Sequence, residues 1–200
     1  MSRSNTVFDK LAMQPTDSQL LKLRCDSQSV QYYSDISHFL SSRIKGHETL
    51  SLLDVGPRTG AGLAFLRLVH HPAAYTRLKL DPVYGIDIDP MFEQYAALEF
   101  PDISGITGDI FDLEENTWDI VTCSHTIEHI SDAEGFVLQL MKIARRYLVI
   151  ACPFAEMPLS DEHVRTIDYA FFQKLDILDV QIYESQHWHS GVVCLAFKAL

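Results

Sequence analysis

Apolar residues recur at helical spacing between Ser29 and Ile44. Val30, Tyr33, Ser37, Leu40 and Ile44 mark one stripe, and Tyr32, Ile36 and Phe39 widen it. Gly46 supplies a stop. Beyond residue 50 the pattern becomes short apolar runs alternating with amphipathic stretches. Leu50–Val55, Val83–Ile88, Asp102–Thr107, Trp118–Ser124 and Tyr147–Cys152 predict strands. Ala61–His70, Pro90–Phe100 and Ala133–Arg146 predict helices among them, and Ile167–Leu175 predicts another. Ile177–Glu184 and Gly191–Ala199 predict two final strands. Strands separated by helices of this length make βαβ units, so the sheet should be parallel and covered on both faces. Only the polar segment Ser185–Ser190 separates the last two strands. That is too short for a helical crossover, so they should form an antiparallel hairpin. The predicted fold class is a doubly wound α/β sheet, mostly parallel, with an antiparallel C-terminal hairpin and helices on both faces.

Composition narrows the function classes. The chain has 200 residues, enough for one domain with a sizeable core and short for two. Lys and Arg number 16 against 27 Asp and Glu, giving a formal charge of −11, which argues against a general nucleic-acid binder. The longest apolar runs, Tyr147–Cys152 and Val192–Phe197, are far too short to span a membrane as a helix. The first residues lack the apolar core of a secretory signal, so a cytoplasmic location is expected. The cysteines at 25, 123, 152 and 194 have no CxxC spacing, and three sit in strand-like runs, where they read as small core residues. Residues 1–45 read as an N-terminal segment with one helix, a candidate lid, and residues 46–200 as the main domain.

In an open parallel sheet, ligands bind beyond the carboxyl ends of the strands. Four strand ends carry candidate chemistry. Asp54-Val55-Gly56-Pro57-Arg58-Thr59-Gly60 is a strand entering a tight glycine-containing turn before a helix. It has neither the Gly-Lys-Ser/Thr of a phosphate loop nor the dinucleotide G-x-G-x-x-G. At the second strand end, Asp87 is placed to accept ribose hydroxyls, Ile88 follows it, and Asp89 with Pro90 suits a helix cap. Gly108-Asp109-Ile110 places a short acid beside an apolar residue, fit to accept from an adenine amino group and pack on its ring, although Gly-Asp is also ordinary turn chemistry. The fourth strand runs through Ser124 into His125-Thr126-Ile127-Glu128-His129.

In this order the pieces resemble the class I S-adenosylmethionine-dependent methyltransferases, in particular the small-molecule group with a Glu-His pair after the fourth strand. Asp54-Val-Gly56-Pro-Arg58-Thr-Gly60 matches the Asp-x-Gly-x-Gly-x-Gly motif, except that Arg58 stands at the second glycine. Asp87, Gly108-Asp109, Trp118-Asp119-Ile-Val121 and Glu128-His129 match later motifs. Asp161-Glu162-His163-Val164-Arg165 resembles a Glu-His-x-Arg segment after the fifth strand. The resemblance covers roughly residues 48–198. It implies a Rossmann-like sheet that binds S-adenosylmethionine through Asp54, Gly56, Pro57, Arg58, Thr59, Gly60, Asp87, Ile88, Asp109, Ile110 and Ser124. It implies methyl transfer to a small molecule, such as a sugar-containing or other biosynthetic intermediate, and is compatible with a homo-oligomer. Arg58 either pairs with the cofactor carboxylate, points to solvent or blocks the site. In the last case the chain would be an inactive methyltransferase-fold binding or interaction module.

His125, His129 and His163 are the candidate acid–base residues, since each falls near the carboxyl edge and imidazole titrates near neutrality. A carboxylate and a histidine can jointly hold a divalent ion, but the sequence shows no third ligand, so no metal is expected. His125-x-x-Glu128-His129 also spells the H-x-x-E-H string of inverted zinc peptidases, which requires a helix where a strand is ending. His187 and His189, around Trp188, read as an exposed turn. From Asp81 to Gly135 there are 14 acids and no Lys or Arg, an acidic rim suited to a cationic donor and repellent to polyphosphate.

Overall fold

The computed structural model describes residues 26–185 and 191–200. Expectations for residues 1–25, including the lid segment and Cys25, and for His187, Trp188 and His189 lie outside the described residues. The chain begins with α1 (Ser27–Arg43), then β1 (Thr49–Val55), α2 (Ala61–Val69), β2 (Lys79–Asp87), α3 (Pro90–Glu99) and β3 (Ser104–Thr107). It continues with β4 (Trp118–Ser124), α4 (Ala133–Ile143), β5 (Ala144–Pro153), α5 (Tyr169–Lys174), β6 (Asp179–Ser185) and β7 (Gly191–Ala199).

The strands form one seven-stranded sheet in the order β3-β2-β1-β4-β5-β7-β6. The first five strands pair in parallel, and β7 pairs antiparallel with both β5 and β6. The doubly wound sheet and its C-terminal hairpin are as expected. The hairpin also folds back so that β7 inserts between β5 and β6. Strand order reverses between β1 and β4, so the ligand crevice should open above those two strands.

Side chains alternate across the sheet and build two cores. Leu52, Ile120 and Val149 pack on one face with Ile36 and Leu40 of α1, Leu63 and Leu66 of α2 and Phe92 of α3. Leu53, Val121 and Ile150 face the other side, with Val137 and Leu140 of α4 and Phe172 of α5. Cys123, Cys152 and Cys194 are buried free thiols in the strands. No described helix is long and apolar enough to cross a membrane.

Several boundaries differ from the sequence pattern, three of them for a visible physical reason. The helix predicted to Arg146 ends at Ile143, and β5 begins at once. The helix's last carbonyls, Lys142 and Ile143, are taken by Asn116 and Thr117 N–H, which draws the chain into the sheet beside β4. β2 starts at Lys79, ahead of Pro82, because a register shift opposite Leu50–Leu52 accommodates the proline and Arg67 holds Leu80 O at 2.7 Å. The helix predicted over Ile167–Leu175 is only Tyr169–Lys174, capped by Asp168.

Candidate functional site

The reversal point carries a cavity of about 540 Å³. Its walls come from the turn after β1 (Gly56, Pro57, Arg58), the end of β4 (Ser124, His125), His129 and His163, and Tyr32 on the first turns of α1. The volume is that of an ordinary small-molecule site.

Beneath the cavity Asp54 is fully buried. Its carboxylate accepts hydrogen bonds from the Tyr33 hydroxyl of α1 and, at 2.6 Å, from Thr122 Oγ1 of β4. Burial pushes Asp54 up to about 7, and the two hydroxyls oppose that rise without cancelling it. Tyr33 and Thr122 were not singled out in the sequence. Thr122 carried a signal, being a polar residue between apolar neighbours and the direct partner of Asp54 in the β1–β4 register. Tyr33 carried none, since it lies on the apolar stripe of α1.

The turn above Asp54 is held in left-handed backbone. Gly56 has φ of 74°, Arg58 57° and Gly60 79°. A side chain at Gly56 would run into Thr126. Arg58 therefore keeps the shape of the turn while carrying a side chain. That side chain is exposed at the cavity wall and does not plug it. Left-handed backbone costs a non-glycine residue about 1–2 kcal/mol, and glycine's extra unfolded-state freedom offsets roughly 0.5–1 kcal/mol of the gain from replacing it. Arg58→Gly is expected to raise unfolding stability by about 0.5–1 kcal/mol, read as a higher urea midpoint; a lower midpoint would mean that Arg58 makes contacts worth more than the strain. Thr59 Oγ1 donates to Asp26 at 2.7 Å, tying the turn to the cap of α1. Burial alone would raise the Asp26 pKa, but the Thr59 and Ser29 hydrogen bonds leave it lowered overall.

The other predicted cofactor residues lie on the neighbouring strand ends. Gly56 N–H donates to Ile86 O and Gly108 N–H to Asp87 O, both at 3.0 Å, so the turns after β1, β2 and β3 form one continuous edge. Asp87 is half-buried, and burial and then Asp89 raise its pKa, opposed by backbone N–H groups that include Arg58 N–H. Ile88 is 80% exposed beside it. Asp89 caps α3 with Pro90 at its first turn. Asp109 is exposed and accepts from Phe111 N–H at 3.0 Å, while Ile110 is buried in the core. Asp87, Ile88, Asp109 and Ile110 thus share the edge with the cavity without lining it.

The opposite wall is a cluster of imidazoles. His125 has a φ of 53°, stacks on Tyr32 with ring centres 4.0 Å apart, and shares a 2.9 Å hydrogen bond between Nδ1 and Ser124 Oγ. Burial, then the neighbouring His163 and His129, push His125 down to about 3, leaving a neutral and weakly basic ring. Residues Ile127–His129 form a single 3-10 turn, so the long helix that the zinc-peptidase reading requires is not there. His129 donates from Nδ1 to Glu162 O at 2.9 Å, and His163 from Nδ1 to Glu156, which also holds Ser160. The His129 and His163 rings meet edge to face at 4.9 Å. Glu128 is 1% exposed, and neither of its carboxylate oxygens has a hydrogen-bond partner on another described residue. Its burial pushes it up to about 7.

A fold and strand edge of this kind define a nucleoside-cofactor α/β protein, and sequence comparison makes the class specific. Residues 26–190 match a family described as "Methyltransferase domain", and the chain belongs to that family, in keeping with its resemblance to the class I S-adenosylmethionine-dependent methyltransferases. Among solved structures it is similar to a magnesium protoporphyrin IX methyltransferase from Synechocystis with bound SAH, at 16% identity and a TM-score of 0.67 over 98% of this chain and 94% of that one. It is also similar to a SAM-dependent methyltransferase from Aquifex aeolicus, at 19% identity and a TM-score of 0.60 over 90% and 97%. A third similar structure is a [4+2]-cyclase, SpnF, at 12% identity and a TM-score of 0.62 over 82% and 79%. At these identities the likeness is one of fold, and the cyclase shows that the fold does not fix the reaction. No curated protein matches the chain in sequence.

Proposed function

We propose that this protein transfers a methyl group from S-adenosylmethionine to a small-molecule acceptor. The observation that carries the reading is the edge formed by Asp54, Asp87 and Asp109 at the carboxyl ends of three adjacent strands, in a methyltransferase-domain chain, beside a cavity of about 540 Å³. These residues fit the cofactor. Asp87 turns a half-buried carboxylate toward a ribose diol, and among the described residues its own hydrogen bonds come from backbone N–H groups. The exposed Ile88 is a ready apolar surface for a purine. Asp109 and the Ile110 backbone close the adenine end. The Gly56–Gly60 turn and the buried Asp54 receive the cationic methionine end, with Ser124 alongside.

The bound cofactor supplies a methyl group activated on a sulfonium. Its leaving group is neutral, so the chain's task is to align the acceptor and exclude water. Tyr32 and His125 form a flat wall suited to a planar acceptor. His125 is too weak a base to take a proton near neutrality, so that task falls to His129 and His163, each oriented through Nδ1. The acidic stretch from Asp81 to Gly135 favours a cationic donor over a nucleic acid. An inactive module is not favoured, because Arg58 leaves the turn in its glycine-like shape and the cavity open.

Calorimetry with S-adenosylmethionine and S-adenosylhomocysteine tests the reading. Micromolar binding, weakened at least tenfold by Asp87→Ala, is expected. Absence of binding at millimolar ligand would overturn it. A metabolite screen for a mass gain of one methyl then identifies the acceptor.

A further inference from the structure

Glu128, His129 and His163 each offer one donor atom, and those atoms lie within 4.8 Å of one another. The third member, His163, comes from the loop after β5; it stood out in the sequence as an acid–base candidate, not as a ligand beside Glu128 and His129. That loop is fastened to the turn after β4 by the Val164 N–H to Glu128 O bond at 2.9 Å. We propose that the three side chains bind a divalent transition-metal ion, of the zinc or cobalt kind, through one carboxylate and two imidazoles.

Three observations support the site independently. The Glu128 carboxylate is buried and has no hydrogen-bond partner on another described residue. Such a group is costly unless it is neutral or meets a cation. Both imidazoles are fixed through Nδ1, His129 on a backbone carbonyl and His163 on the Glu156 carboxylate. That is the arrangement by which metal-binding histidines are oriented, and it sets the Nε2 lone pair as the one offered to an ion. Two nitrogens and one oxygen suit zinc, cobalt or iron, whereas magnesium and calcium prefer all-oxygen shells. Three protein ligands would leave coordination positions open, and His129 and His163 line the cavity, so an ion held there could be reached from it. If the methyl-transfer reading holds, an oxygen of the acceptor is what reaches them. Neither His129 Nε2 nor His163 Nε2 can serve both as ligand and as proton acceptor, so the ion would take over activation of that oxygen.

The test uses the full chain stripped of metal by a chelator and titrated with Co²⁺, followed by visible absorption, with Zn²⁺ competing. One equivalent is expected to bind well below millimolar, with the bands of four- or five-coordinate cobalt. Glu128→Gln should weaken binding at least tenfold while leaving the metal-free protein as thermally stable as wild type or more so, since it removes a buried charge. Glu156→Gln should weaken binding by about 10–100-fold although Glu156 touches no ion. Binding weaker than millimolar, or binding indifferent to Glu128→Gln, overturns the site. S-adenosylhomocysteine binding measured on the same stripped protein separates the two claims. Nucleoside binding without cobalt binding removes the metal site alone, and cobalt binding without nucleoside binding removes the methyl-transfer reading alone.

Discussion

Asp54→Asn is expected to remove a pH dependence of stability that the wild type shows between about pH 4 and 7. The buried carboxyl titrates near 7 in the folded protein against an ordinary value of 3.8. Between those values the folded state holds a proton that the unfolded chain has lost, so stability falls as pH rises. About three pKa units correspond to roughly 4 kcal/mol, fully felt above about pH 7 and absent below about pH 4. Asparagine has no charge to bury. Its amide can satisfy only one of the two hydroxyls as an acceptor, which costs on the order of 1–3 kcal/mol against the ionised carboxylate and less against the protonated one. The sign of the difference between variant and wild type at one pH is therefore uninformative, and its slope is the signature. Urea unfolding at several pH values reads it, and parallel curves for the two proteins would show that Asp54 is ionised in the fold at all of them. If a cationic donor binds above this carboxylate, the wild type should also bind S-adenosylmethionine more tightly as pH rises from about 6 to 8, with proton release that Asp54→Asn abolishes.

Gly62→Ala is expected to destabilise the protein, against the usual effect of this change inside a helix. Alanine is favoured over glycine by about 1 kcal/mol in a helix interior. Here the added carbon would overlap the Tyr33 ring, with Cε2 at 2.7 Å and Cγ at 2.8 Å. Tyr33 is itself buried and anchored to Asp54 through its hydroxyl, so it cannot swing aside without surrendering that bond. Overpacking of this kind costs about 1–3 kcal/mol, and the lost hydrogen bond adds about 1 kcal/mol. A net loss of roughly 1–3 kcal/mol should appear in the urea midpoint. Pairing Gly62→Ala with Tyr33→Leu should restore much of it, because neighbours that clash are non-additive. A Gly62→Ala protein at least as stable as wild type would show that α1 yields without cost.

Asp54 and Gly62 show where legibility in the sequence ended. The doubly wound sheet was readable because period-2 and period-3.6 patterns are imposed by which faces are buried, and this chain buries both faces of β1, β4 and β5. The acids at 54, 87 and 109 were readable as strand ends because a polar residue closing an apolar run has few other places to go. Asp89 was readable as a cap on the same local grounds. The carbonyls that end α4 at Ile143 were not, since their partners lie 26 residues earlier at Asn116 and Thr117. The shape of the Arg58 turn was not readable either. A left-handed arginine is tolerated only because Gly56, Gly60 and the strand edge fix the backbone around it.

By itself, then, the sequence determined the order of strands and helices, the acidic character of the strand-end edge and the family of the chain, because each follows from local periodicity or short spacing. Tertiary structure decided the rest: the placing of Tyr33 and Thr122 on Asp54, the weak basicity of His125, and the meeting of Glu128 and His129 with a histidine 34 positions later. Those features depend on which surfaces are withdrawn from water together, and desolvation and side-chain convergence arise only when distant segments pack.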